Sequence, residues 1–161
     1  VDVSIASVNS EKRHLPGAAR NLGALNSTSD YVMFLDVDDI PHPEKIKLTM
    51  EYIEGFDFLL HNYFPNCDYN SFNYSNISVC TNLSCEPECT NLIAIIPPSP
   101  KKLAIHHGHI TVKRSIFNSI KQSESLNRGE DGRFCQDLVN YGYKGIFLHL
   151  PLINYLPSFA R

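Results

Sequence analysis

No apolar run in this 161-residue sequence approaches the ~20 residues that span a bilayer, and its first residues lack the pattern of a secretory leader. There is no basic excess either. Fourteen Lys and Arg against 17 Asp and Glu leave a net charge of -3, which argues against a broad footprint for DNA or RNA. No internal repeat is visible, so solenoids and propellers are excluded. Apolar residues make up 43% and charged residues 19%, ordinary globular usage that excludes wholesale disorder and fibrous repeats. The length is that of one domain.

An even cysteine count is also missing. Cys67, Cys80, Cys85, Cys89 and Cys135 cannot all pair within one chain. Cys80, Cys85 and Cys89 stand close together in a polar stretch, but C-x₄-C-x₃-C is only a loose match to zinc knuckles. Zinc, a disulfide and free thiols all stay open. Asn26, Asn73, Asn76 and Asn82 each begin a glycosylation sequon, which a chain this rich in Asn and Ser produces by chance. Secretion does not follow from them; the cytoplasm is favoured and a lumenal site stays open.

What is present alternates between two periods. Val1 to Val8 reads as a strand, and Ala18, Ala19, Leu22 and Leu25 recur at helical spacing after Pro16 and Gly17. Tyr31 to Leu35 is a continuous apolar run, expected to be a strand buried on both faces. Pro41 and Pro43 open an amphipathic helix carrying Ile46, Leu48, Met50 and Ile53, closed by Gly55. Phe56 to Leu60 is a strand, and Tyr63 to Pro100 shifts to Asn, Ser, Cys, Tyr and Pro, a long variable loop. Ile105 to Val112, Arg114 to Ile120, Glu130 to Asn140 and Gly145 to Leu150 then read as strand, helix, helix and strand. The predicted class is α/β with a mostly parallel sheet.

Asp36, Asp38 and Asp39 follow directly on the apolar strand, at the carboxyl end where open α/β sheets bind ligands. In extended chain Asp36 and Asp38 point to one side, and two such carboxylates are usually reconciled by a proton or a cation. Oxygen donors suit a hard divalent ion, Mg²⁺ or Mn²⁺, whose remaining positions phosphate oxygens can fill. The simpler reading makes Asp39 the cap of the following helix. Similarly, Glu130 and Asp131 suit the positive end of a helix dipole without any further role. His107 and His109 share a strand face, but H-x-H lacks a third zinc ligand.

Gly17-Ala18-Ala19-Arg20-Asn21-Leu22-Gly23, then Tyr31 to Asp39 and Pro43, resembles the nucleotide-sugar glycosyltransferases of family 2 and their GT-A fold. Gly129-Glu130-Asp131 is similar to that family's second signature, an E-D pair opening a helix. The Asn-, Ile- and Tyr-rich style also resembles enzymes of large DNA viruses. The resemblance implies a single GT-A-like catalytic domain over residues 1–161, with 63–100 as a variable insertion. Family members begin with a strand, a helix and a second strand that grip base and ribose. This sequence opens at what would be the third strand, so that first βαβ unit is expected to be absent.

The resemblance further implies transfer of a sugar from a nucleoside diphosphate to an acceptor hydroxyl, with a glycan, protein or lipid as acceptor and no nucleic acid. Asp36 and Asp38 match the D-x-D that binds Mn²⁺ or Mg²⁺, with His149 as a further ligand. Arg20 and Asn21 fall on the donor phosphate side, although Arg20 also suits a structural pair with an acid at the strand ends. Asp131 matches the general base of an inverting displacement, Glu130 binds or orients the acceptor, and His107 and His109 border the acceptor cleft beside Gly108. A retaining transferase, a non-catalytic nucleotide- or sugar-binding module, and a domain organised by metal-bound cysteines are the alternatives.

Overall fold

The computed structural model describes residues 14–37, 39–65, 79–80, 93–96 and 109–155. The expected strand at Val1 to Val8 lies outside them. Helix α1 (Pro16–Leu25) starts on a proline at its first turn, whose fixed φ suits a helix start. Strand β1 (Tyr31–Met33), the short β2 (Ile40–Pro41) and helix α2 (Lys45–Tyr52) follow. The remaining elements are β3 (Phe58–Pro65), β4 (Val79–Cys80), β5 (Ile93–Ile95), β6 (Ile110–Lys113), α3 (Arg114–Ser119), α4 (Glu130–Asn140) and β7 (Gly145–Tyr155).

These strands form one sheet in the order β1-β6-β3-β7-β5-β4, with β2 pairing β7. The class is α/β as expected, but the sheet is mixed. Of the described pairings only β3 with β7 and β4 with β5 are parallel. β6 runs antiparallel to both of its neighbours, Val32 facing Val112 and Leu59 facing Thr111.

Alternation along the strands divides the core between the two faces. Phe58 and Leu60 join Phe34, Ile110, Val112, Phe117, Phe134 and Leu138 in one cluster, covered by α3 and α4. Leu59 points the other way, with Ile146, Leu148, Leu150 and Leu152 against Leu48 and Ile53 of the α2 segment. The apolar stripes of two helices depart from their expected positions. α1 buries Gly17, Asn21 and Ala24 and leaves Leu25 59% exposed. α2 buries Lys45 and leaves Ile46 exposed. In each helix a polar residue, Asn21 or Lys45, is buried beside the expected apolar positions, of which Leu48 and Ile53 are buried as expected.

The first apolar strand is shorter than its sequence. β1 ends at Met33, Phe34 adds one backbone bond to the Ile110 carbonyl at 3.2 Å, and Leu35 is 49% exposed. Arg114 pins the connection into β1 by donating to the Ala24 carbonyl at 2.9 Å and to Ser27 and Ser29.

Candidate functional site

The carboxyl ends of β1, β3 and β7 share a rim with the start of β6, because β1 and β3 are both antiparallel to β6 while β7 is parallel to β3. At this rim the chain leaves β1 in a tight turn, closed by the Asp39 amide donating to the Asp36 carbonyl at 3.1 Å. Asp38 lies outside the described residues, as does His107.

Arg20 is the hub. Its guanidinium donates to Asp36 Oδ1 at 2.7 Å, to Glu130 Oε1 at 2.6 Å and to Gln122 Oε1 at 3.2 Å. One planar fork thus joins the first acid of the D-x-D to the first acid of the E-D pair. Burial opposes the charge on Arg20, yet the Asp36 and Glu130 carboxylates outweigh it and hold its pKa above the ordinary value. The structural pair that the sequence left open to Arg20 is formed with Asp36 beyond the end of β1, and a second is added with Glu130 at the start of α4.

The E-D pair opens α4. Gly129 sits just before it at φ 77, ψ 13, a left-handed conformation that a side chain strains. Glu130 is buried behind the helix start, whereas Asp131 is half-buried and accepts a hydrogen bond from the Gly132 amide at 2.7 Å. Phe134, Cys135, Leu138 and Val139 continue the stripe that Glu130 begins and bury it in the core. The helix is therefore anchored along its length and presents its acidic first turn at the rim.

Asn21, expected on the donor side, is buried and engaged with the segment that follows α3, its amide donating to the Gln122 carbonyl and Glu124 Oε1. Asp39 does not cap α2, whose N-cap is Glu44 with no side-chain cap bond. The carboxylate of Asp39 turns inward instead, its Oδ2 3.6 Å from His109 Nε2. His109 is buried beneath the acidic turn, stacked on His61 with centroids 5.2 Å apart and tilted against Tyr63. Lys45 completes this interior group. Burial pushes its pKa down to about 8, against the attraction of Asp39 and Asp36. His61, fully enclosed and facing Lys45 and His109, has its pKa driven well below the ordinary value.

Sequence reasoning missed Lys45, His61 and Gln122. Lys45 is one charge among several in an amphipathic helix, and no local signal separates a buried lysine from a solvated one. His149 stands on β7 beside the edge of Phe147, and burial lowers its pKa. Among the described residues no group of three or more acids, histidines or thiols is gathered as a metal site. Asp36 remains a partly exposed carboxylate with one oxygen held by Arg20, an oxygen donor of the kind hard cations take. Cys135 is a free, buried thiol; Cys67, Cys85 and Cys89 lie outside the described residues, as does the side chain of Cys80. No helix among the described residues is long and apolar enough to cross a membrane.

Comparison with known proteins places this geometry in context. The model of a family described as "Glycosyl transferase family 2" matches residues 3–121. An amylovoran biosynthesis glycosyltransferase of Erwinia amylovora is 26% identical over 95% of this chain and 50% of its own length. An uncharacterized glycosyltransferase of Rickettsia conorii is 35% identical over 39% of this chain and 10% of its own. The chain thus spans half or less of these relatives. Among solved structures, residues 1–349 of TarS from S. aureus, in complex with UDP-GlcNAc, superpose with a TM-score of 0.66 at 16% identity. That match covers 94% of this chain and 42% of TarS 1–349; the UDP complex gives 0.64. The likeness carries the fold, which is GT-A.

Proposed function

The chain belongs to glycosyl transferase family 2, and on that premise we propose that it is part of an enzyme that transfers a sugar from a nucleoside diphosphate to an acceptor hydroxyl. The observation that carries the reading is the Arg20 fork, which holds Asp36 and Glu130 on one guanidinium although they come from separate signatures. UDP and UDP-GlcNAc bound to TarS make uridine diphosphate sugars the first donors to try.

In this reading Asp131 is the general base. Its carboxylate takes the proton of the acceptor hydroxyl as the acceptor oxygen bonds to the anomeric carbon. The bond from that carbon to the diphosphate oxygen breaks, and the electron pair leaves with the nucleoside diphosphate. A single displacement of this kind inverts the anomeric centre. Asp36 and Asp38 fit a divalent cation through their oxygen donors, and a bound cation would supply neutralisation of the charge gathering on the departing diphosphate. Glu130, fixed by Arg20, keeps the start of α4 against the acidic turn. Asp131, adjacent to it and half-buried, is the carboxylate that this reading sets against the acceptor.

The test uses the full-length protein with a panel of nucleotide sugars, with Mn²⁺ and with a chelator. Transfer that needs the cation and falls about 10²–10⁴-fold in Asp131→Asn, with UDP binding retained, supports the reading. Transfer undiminished in Asp131→Asn removes the base assignment. Neither transfer nor hydrolysis with any donor removes the activity and favours a binding module.

A further inference from the structure

Asn21 makes a closed pair with the backbone of one residue 101 positions away. Its Oδ1 accepts from the Gln122 amide at 3.0 Å while its Nδ2 donates to the Gln122 carbonyl at 2.9 Å. The same Nδ2 donates to Glu124 Oε1 at 2.9 Å. One residue earlier on α1, Arg20 reaches the Gln122 side chain. One turn before that, Gly17 lies so close to the segment that a Cβ would overlap the Ser123 carbonyl oxygen. Three successive residues, Gln122 to Glu124, are thus gripped by a single stripe of α1.

The gripped segment has no helix or strand of its own to set its path. Residues 124–129 are exposed, and they lead straight into Gly129 and the E-D pair. Both backbone groups of Gln122 are bonded to Asn21, which fixes the near end of this connection against α1. Arg20 fixes the far end through Glu130. Neighbouring residues on one helix therefore hold both ends of the connection that delivers Asp131.

We propose that Asn21 is a positioning residue for acceptor activation: it holds residues 122–124 so that α4 begins with Asp131 turned to the acceptor. This rests on the reading of Asp131 as the base. Positioning of this sort acts on the reacting geometry, where an error of about 1 Å costs roughly a hundredfold in rate. It does not act on donor affinity, because Asn21 is buried and faces the segment.

Two measurements on the full-length protein test it. Asn21→Asp keeps the acceptor for the Gln122 amide but sets a carboxylate against the Gln122 carbonyl and Glu124. Expected are a kcat for transfer lowered at least tenfold and a donor KM within twofold of the parent. Adding Glu124→Gln, which offers a donor amide opposite the new carboxylate, should return kcat to within threefold. Hydrogen exchange supplies a readout independent of activity: the Gln122 amide should lose at least tenfold protection in Asn21→Asp while the β3 amides stay protected. Unchanged kcat and unchanged Gln122 protection overturn the proposal, as does a loss confined to donor KM. If the parent transfers nothing from any donor, the functional reading falls and the proposal with it, while the exchange result alone decides whether the grip exists.

Discussion

Arg20 and Glu130 meet at 2.6 Å across 110 residues of chain, on side chains 15% and 7% exposed. A carboxylate so far removed from water needs a counter-charge, and the guanidinium supplies it with a charge-assisted bond while its other arm holds Asp36. Joining three elements through one planar group makes the site and the local fold interdependent.

Removing Arg20 should therefore cost stability as well as activity. Arg20→Met leaves Glu130 enclosed without a partner, and breaking a buried pair costs about 3–5 kcal/mol. The urea midpoint reads this directly. Adding Glu130→Gln removes the stranded charge and should recover a large share of the loss. A loss under about 1 kcal/mol in Arg20→Met would instead put this pair in the class of surface ion pairs.

Gly129 carries the entry to α4 at φ 77, where an L side chain crowds the following carbonyl. Gly129→Ala should destabilise the protein by about 1–2 kcal/mol, and Gly129→Asn by less, because asparagine tolerates the left-handed region. Denaturation midpoints check the order. Equal stability of all three would mean the turn relaxes to negative φ without cost.

Helix α4 was legible to the residue, because Gly129, two acids and Phe134, Leu138 and Val139 at helical spacing all agree on one start and one face. The pairing of Arg20 with an acid was also open to sequence reading, since a cation one helix away from an acidic strand end has few other partners. The fate of Asp39 was not. Its neighbours argue for a cap, and only the arrival of β6 with His109, 70 positions later in the numbering, draws it inward. The sense of β6 was illegible for the same reason: it is decided by pairing with β1 and β3, not by the residues within it. β7 ran past the expected Leu150 to Tyr155 because Pro151 falls where the register with β3 shifts, a place where a strand tolerates proline.

Lys45 makes stability depend on pH with a definite sign. Burial brings its pKa from 10.5 down to about 8, so the unfolded chain binds the proton more tightly than the folded one. Its contribution is unfavourable below about 8 and is relieved as pH rises toward 10.5. Between those values the parent should gain stability relative to Lys45→Met, in which this dependence is absent. Urea midpoints of both proteins at pH 7 and pH 10 measure the difference. Parallel pH profiles for the two would show that Lys45 keeps an ordinary pKa and faces water.

Cys135 gives a direct report on how firmly α4 is seated. Burial first, and the nearby Asp131 carboxylate second, push its thiol well above the ordinary value, and no part of the residue is exposed. The thiolate is the reactive form, so Cys135 should resist iodoacetamide at pH 8 in the native protein and react readily in urea. Peptide mapping separates it from the other cysteines. Because Cys135 lies four residues beyond Asp131 on the same helix, its native labelling rate follows detachment of the helix that carries the proposed base. Arg20→Met should raise that rate by releasing the first turn of α4, whereas Lys45→Met, on the opposite face of the sheet, should leave it unchanged. Rapid native labelling of Cys135 would mean that α4 opens freely, and a helix that opens freely cannot hold Asp131 to the geometry that proton transfer requires.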